Sequence, residues 1–391
     1  MFKDYFPYFK NSNITYLDNA ATTQKPQVVI DEIVDYYSSY CSNTHRSNHG
    51  NANKATQKFE HTRELLKKFI NANDSSEVIF TKGVTESINF IANSYVKNRF
   101  NKVIISSLEH HSNIVPWQIL GVEIEVVNCT ENLDFDFNSY ENILKDNPNS
   151  FVSITHISNA FGKIHDIKRI VSLAHKYKAK ILIDAAQSLT HKKVDVQDLD
   201  VDFMAISSHK TFGPTGVGAI YIKKTLLNDV LPYQTGGATI NDVTYEKSIL
   251  LDSPYKFEAG TQNIAGVIGF GKALEFIKEL GYENIGKKEE ELYTYLYEEL
   301  SKIEDIIFYS DIKNSIGSFS FNIKNIMAED VGILVDKMNI ALRCGHHCAQ
   351  PIMKRLGIEG TIRVSVALYN EKEDIDKLIV ALNKAIKMLK D

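Results

Sequence analysis

Two residues of complementary chemistry stand at the ends of two apolar runs. Ile181, Leu182 and Ile183 form one run, which stops at a carboxylate, Asp184; Phe203 to Ile206 form another, which gives way to Ser207, Ser208, His209 and Lys210. The loop Thr211-Phe-Gly-Pro-Thr-Gly-Val-Gly218 follows. Short continuous apolar runs read as buried strands of a parallel sheet, and α/β folds place ligands outside the carboxyl ends of such strands. An amine and an acid so placed suit pyridoxal 5'-phosphate (PLP). The lysine forms a Schiff base with its aldehyde, and the acid keeps the pyridine nitrogen protonated. Taken alone, Lys210 reads as an ordinary solvated loop lysine and Asp184 as a near-surface carboxylate. The pair in this order, with Gln187 one helical turn on and Ser207 and His209 beside the lysine, is what points to a PLP site.

Other residues suit the same site. Val78-Ile-Phe leads into Thr81-Lys-Gly-Val-Thr-Glu-Ser-Ile-Asn89, a strand, glycine turn and helix start with Thr85 near the cap. The free N–H groups of such a start bind phosphate, although a threonine there is also an ordinary N-cap. His110 and His111 follow the strand Val103-Ile-Ile-Ser, where a ring that stacks on a cofactor has to be. Glu109, His110 and His111 make a poor metal set, because adjacent residues do not converge easily on one ion. The polar stretch Ser42 to Gly50, holding His45, Arg46 and His49, is longer than a simple connection requires and reads either as a functional loop or as a solvated one. In Ala341-Leu-Arg-Cys-Gly-His-His-Cys-Ala-Gln-Pro351, Cys348 lies on a short loop with two imidazoles and an arginine close by, where a lowered thiol pKa is expected. Offering Cys344, His346, His347 and Cys348 to zinc would crowd four ligands into five residues, and an inert loop cysteine is the other rival reading.

The elements that must position these groups are legible in the patterning. Strands and helices alternate through 75–225, as in a mostly parallel sheet covered on both faces. Gly281 closes a helix running from Ile264, and beyond it the order changes to a helix over 285–303, strands near 306–309 and 317–323, and a helix over 328–338. Strands around 340–343 and 361–367 and a helix over 371–389 complete the chain. The expected organisation is a large PLP-binding α/β domain over 15–280 and a small α+β domain formed by 1–14 and 281–391, the latter carrying the Cys348 loop. With 391 residues, 43% of them hydrophobic, the chain can bury a large core. A net charge of −5 without a sustained basic block argues against nucleic acid. No run approaches the roughly 18 apolar residues of a membrane span and the first residues lack a signal peptide's apolar core, so a cytoplasmic protein is expected. Four cysteines are too few for a disulfide framework.

Read jointly, these passages resemble the class V, fold-type I PLP-dependent transferases, and within them the group II (SufS-type) cysteine desulfurases and selenocysteine lyases. The resemblance runs from Tyr16-Leu-Asp-Asn-Ala-Ala-Thr to the last helix. It is carried by Thr44-His-Arg, Glu109-His-His-Ser-Asn-Ile-Val-Pro-Trp, His156-Ile-Ser-Asn, Asp184-Ala-Ala-Gln, Ser207-Ser-His-Lys, Phe257-Glu-Ala-Gly-Thr, Arg343-Cys-Gly-His-His-Cys-Ala and Arg363-Val-Ser. It implies a seven-stranded, mostly parallel sheet with a smaller C-terminal domain. It also implies a homodimer that converts L-cysteine to L-alanine and leaves a persulfide on Cys348.

The resemblance implies a role for each residue. Lys210 holds the cofactor and moves the Cα proton, Asp184 pairs with the pyridine nitrogen, Gln187 bonds the phenolate oxygen and His110 stacks on the ring. Thr85, Ser207 and His209 hold the phosphate, joined by Thr261 from the other subunit. Asn159, Arg363, Arg343 and Asn19 or its neighbours hold substrate and cofactor, with His45 and Arg46 approaching from the partner. Only four residues separate Arg343 from the nucleophile Cys348, the group II arrangement. Sulfur would therefore pass to an acceptor protein of the SufE or SufU type that comes to the site and feeds iron–sulfur cluster assembly. Three departures stand out: Cys344 where relatives often carry Thr or Ala, which makes a resolving disulfide conceivable; Ala160-Phe-Gly-Lys after Ser-Asn; and a late chain start, which would shorten any N-terminal helix. Alternatives within the same scaffold are a selenocysteine lyase, a cysteine or cystine C–S lyase and an aminotransferase. A non-catalytic assembly scaffold would have no need of Lys210, Asp184, His110 and Cys348 together.

Overall fold

The computed structural model describes residues 2–45 and 48–390. Its centre is a seven-stranded sheet in the order Val78–Thr81, Gly218–Ile222, Phe203–Ser207, Lys180–Asp184, Phe151–Thr155, Lys102–Ser106, Glu123–Val127. The five strands from Phe203–Ser207 to Glu123–Val127 pair in parallel. Gly218–Ile222 runs against both of its neighbours. Every residue of Phe151–Thr155, Phe203–Ser207 and Gly218–Ile222 is buried, which is why these runs carry no polar alternation. At the sheet's edge, Glu123–Val127 is partly exposed, and Lys102 reaches across to Glu123 and Glu125. The register sets Thr155 opposite Asp184, Asp184 opposite Ala205 and Ser207 opposite Gly218. Thr81, Thr155, Asp184 and Ser207 thus stand along one rim.

Residues beyond Gly281 build a second sheet, antiparallel throughout, in the order Ile306–Phe308, Ser318–Ile323, Thr361–Ser365, Arg343–Gly345. Its core includes Leu292, Leu296, Phe319, Phe321, Val331, Val364, Leu378 and Leu382 from its strands and the helices Tyr282–Leu300, Ala328–Asp336 and Lys372–Lys390. Two regions differ from the sequence reading. The expected strand over 340–343 is divided: Ile340–Ala341 pairs in parallel with Thr15–Tyr16, while Arg343–Gly345 joins the sheet against Thr361–Ser365. The hairpin Ile240–Val243 with Ser248–Leu250 and the helix Gln350–Leu356 have no counterpart in it. The hairpin exposes most of both strands, so burial imprinted no alternation on it, and the helix is too short for a 3.6-residue period to show.

The N-terminal segment lies between the two sheets. Phe6 is fully buried with its ring edge-on to Phe212, Phe276 and Tyr369. Asn19 donates to Ser365 O at 2.6 Å and to Asn370 Oδ1 at 3.0 Å, and Tyr369 Oη donates to its Oδ1. Strand pairing and buried side-chain bonds thus join the first twenty residues to the stretch from Ile340 to Asn370. Among the described residues no helix is long and apolar enough to cross a membrane.

Candidate active site

The rim of the large sheet opens into a cavity of about 560 Å3. Lys210 and Asp184 line it, together with Thr85, His110, Asn159, Gln187, Ser207, His209, Arg343 and Arg363. Ten of the residues expected from sequence are therefore brought to one chamber, from five strand ends of the large sheet and two strands of the small one.

Asp184 is buried and Lys210 partly so. Burial lowers the Lys210 amine to about 8, opposed by the Asp184 carboxylate. Burial raises the Asp184 carboxyl, against the pull of the Ala186 N–H, which it accepts at 2.9 Å, and of Lys210. That is the one hydrogen bond to its carboxylate among the described residues, few for a buried acid. His110 is pressed down to about 3 by burial and then by Lys210, and His209 to about 4 by burial and then by Lys210, so both rings are neutral near pH 7. Gln187 Nε2 donates to Ala20 O at 2.9 Å.

At one end of the cavity lies the N-terminus of the helix Val84–Ile91, whose N-cap is Gly83 rather than Thr85. Gly83 has φ of 146°, open to glycine, and a Cβ on Gly218 would lie 2.6 Å from Gly83 Cα and 2.3 Å from Ile206 O. Two glycines therefore let this turn close onto the strand pair. Thr85 and Ser112 share a 2.7 Å hydroxyl contact across the opening.

At the other end the two arginines lie directly opposite each other on paired strands. Asp18 is the carboxylate between them, 2.7 Å from Arg363 Nη2 and 3.6 Å from Arg343 Nε. One carboxylate against two guanidinium groups leaves net positive charge at the cavity, and the buried Arg363 Nε has no hydrogen-bond partner among the described residues. That end is built for an anion. Asn159 is divided: its backbone carbonyl accepts from Arg363 Nη1 at 2.9 Å, and its Nδ2 donates to His347 O at 2.6 Å.

Cys348 sits exposed on a turn between Arg343–Gly345 and Gln350–Leu356, next to His347, which lines the cavity. His347 and Cys348 have φ of 52° and 55°. Consecutive left-handed non-glycine residues cost about 1–3 kcal/mol each and persist only where surroundings hold them. Cys344 points elsewhere: its Sγ packs by Gly332, and burial pushes its thiol up to about 12.

Thr261 and His45 do not line this cavity. Both line a second one of about 580 Å3, where His45 Nε2 lies 3.4 Å from Glu60. Arg46 lies outside the described residues. Sequence reasoning overlooked Lys25 and reached Asp18 only as a neighbour of Asn19. Lys25 is largely buried and donates to Thr23 O and, at 2.9 Å, to His209 O; burial lowers it to about 7. The signal was a lysine before proline inside a small-residue loop, a pattern that solvated turns share. Glu109 is fully buried and pushed up to about 7 by burial; it accepts from Thr155 N at 3.0 Å and Asn113 Nδ2 at 2.7 Å, tying two strand ends together.

An α/β chamber with a lysine and a buried aspartate at its sheet rim defines a class, and the chain belongs to it: residues 15–378 match the aminotransferase class-V family. The relatives are more particular. Over 95% of its length the chain is 41% identical to a probable cysteine desulfurase of Halalkalibacterium halodurans, spanning 93% of that protein. It is 42% identical to a cysteine desulfurase of Synechococcus elongatus over 95% of its length, but spans only 60% of that longer protein. A cysteine desulfurase from Thermococcus onnurineus superposes with a TM-score of 0.94 at 34% identity, covering 99% of this chain and 98% of that one. A cysteine desulfurase from Escherichia coli gives 0.90 at 33%, with the same coverage.

Proposed function

We propose that the chain is a PLP-dependent cysteine desulfurase that takes sulfur from L-cysteine onto Cys348 and releases L-alanine. The observation that carries this is a part-buried lysine and an under-compensated buried aspartate in one chamber, with His347 of the turn that bears the exposed Cys348 in its wall. The residues fit PLP. Asp184 offers a negative charge with one hydrogen bond, which a protonated ring nitrogen would complete. The Gly83 turn and helix start, with Thr85, Ser207 and His209, offer donors for a phosphate, and the neutral His110 ring is free to stack. Bound there, PLP supplies an electron sink for the substrate Cα.

The chain's own groups account for the rest. Arg363, with its unpartnered Nε, and Arg343 hold the substrate carboxylate, and Asn159 braces Arg363. With an amine lowered to about 8, Lys210 can take the Cα proton and return it at neutral pH. In sulfur transfer the substrate Cβ–S bond breaks and an S–S bond forms to the Cys348 thiolate. The electron pair left on carbon is protonated, giving alanine and a Cys348 persulfide. Because Cys348 sits on a short turn, sulfur leaves by way of an acceptor protein that comes to it, of the SufE or SufU type. Thr261, His45 and Arg46 serve the chamber of a second copy in a homodimer.

The test is mass spectrometry of Cys348 after incubation with cysteine, with alanine and pyruvate measured together. A gain of one sulfur on Cys348 with matching alanine is expected. Pyruvate in place of alanine would make the protein a C–S lyase, and faster turnover of selenocysteine would make it a lyase of that substrate.

A further inference from the structure

The Cys348 turn is held from outside itself. His111 bonds it at the cysteine and just beyond: its backbone N–H donates to Cys348 O at 2.7 Å, and its ring Nε2 accepts the Gln350 N–H at 3.0 Å. Asn159 adds the bond to His347 O. The turn's own bond, Ala349 N–H to His346 O at 2.9 Å, closes it around His347 and Cys348, and the bonds from His111 and Asn159 fix it to the large sheet's rim.

His111 is itself fixed. It opens a short 3-10 turn over His111–Asn113, where Ser112 N–H donates to His110 Nδ1 at 3.0 Å and Asn113 is tied to the buried Glu109. The ring lining the chamber and the residue gripping the nucleophile turn are thus neighbours on one braced segment. We propose that His111 is the positioning residue for Cys348, its ring nitrogen and its amide together holding a left-handed turn that sets where the sulfur meets the substrate. This rests on the reading of Cys348 as sulfur acceptor.

The test uses the PLP-loaded protein in three forms: wild type, His111→Ala and His111→Gln. Glutamine can place Oε1 where Nε2 stood and accept the same N–H. In His111→Ala, spectral titration with cysteine should stay within about twofold of wild type, while single-turnover persulfide formation on Cys348 falls about tenfold or more. His111→Gln should recover to within about threefold. Hydrogen exchange of the peptide spanning 346–352 should quicken in His111→Ala and return towards wild type in His111→Gln. Wild-type persulfide rates in His111→Ala, or a glutamine variant as slow as alanine, would overturn the assignment. Should His111→Ala fail to fold, His111→Gln against His111→Phe carries the same comparison, since phenylalanine fills space without accepting. If the wild type forms no persulfide, the functional reading fails; unchanged exchange in every variant defeats the clamp whatever the sulfur chemistry does.

Discussion

At the scale of single residues, the chamber works by removing water from charge. Only the neutral Lys210 amine can attack the PLP aldehyde, and that form grows as pH passes about 8. Reconstitution of the PLP-free protein should therefore speed up through pH 7–9 and level off above, followed by the growth of the visible absorbance band. A rate flat across that range would contradict the lowered amine, and Lys210→Ala should bind PLP without the covalent link. The two cysteines make a second contrast. Cys344 has its sulfur by Gly332 and its thiol at about 12, so it is neither placed nor charged for attack. Cys344→Ser should retain turnover within about threefold, whereas Cys348→Ser should bind cysteine yet make no alanine beyond one turnover. Persulfide on Cys344 would reverse the assignment.

At the scale of elements, what could be read in advance was whatever burial imprints on a run of residues. Ile181-Leu-Ile-Asp184 and Phe203-Met-Ala-Ile206 declare themselves because both sheet faces are covered, and the acid and lysine at their ends follow from them. The antiparallel course of Gly218–Ile222 leaves no such mark, since a fully buried strand reads alike in either direction. Neither do the contacts of Lys25 and His111, whose partners are backbone atoms 184 and 239 residues away. A third case is Arg63 on the helix Gly50–Phe69. It is 1% exposed and bonds Glu258 through both terminal nitrogens, at 2.7 and 2.8 Å, while Glu258 also accepts the Phe80 N–H. That pair anchors the stretch leading to Thr261. Arg63→Met would strand a buried carboxylate and should lower stability by about 3–5 kcal/mol, measured by denaturant unfolding. A loss below 1 kcal/mol would mean the site lets water in.

At the scale of the molecule, Thr261 and His45 line one cavity while Lys210 lines another, the arrangement a two-fold partner could complete. Inactive Thr261→Ala and Lys210→Ala proteins, mixed under subunit exchange, should regain up to about a quarter of wild-type activity, because one of the two chambers in each heterodimer is then whole. No recovery with exchange verified would put Thr261 to work within its own chain. The Asp18–Arg363 bond spans 345 residues of sequence. At about 5–20 residues per second of synthesis, Asp18 is added roughly 20–70 s before its arginine. The strand with Arg343 and the Cys348 turn belong to the same late stretch. A nascent chain therefore holds Asp184 and Lys210 well before it holds Arg343, Cys348 or Arg363, so the anion-facing end of the chamber is the last part to be supplied.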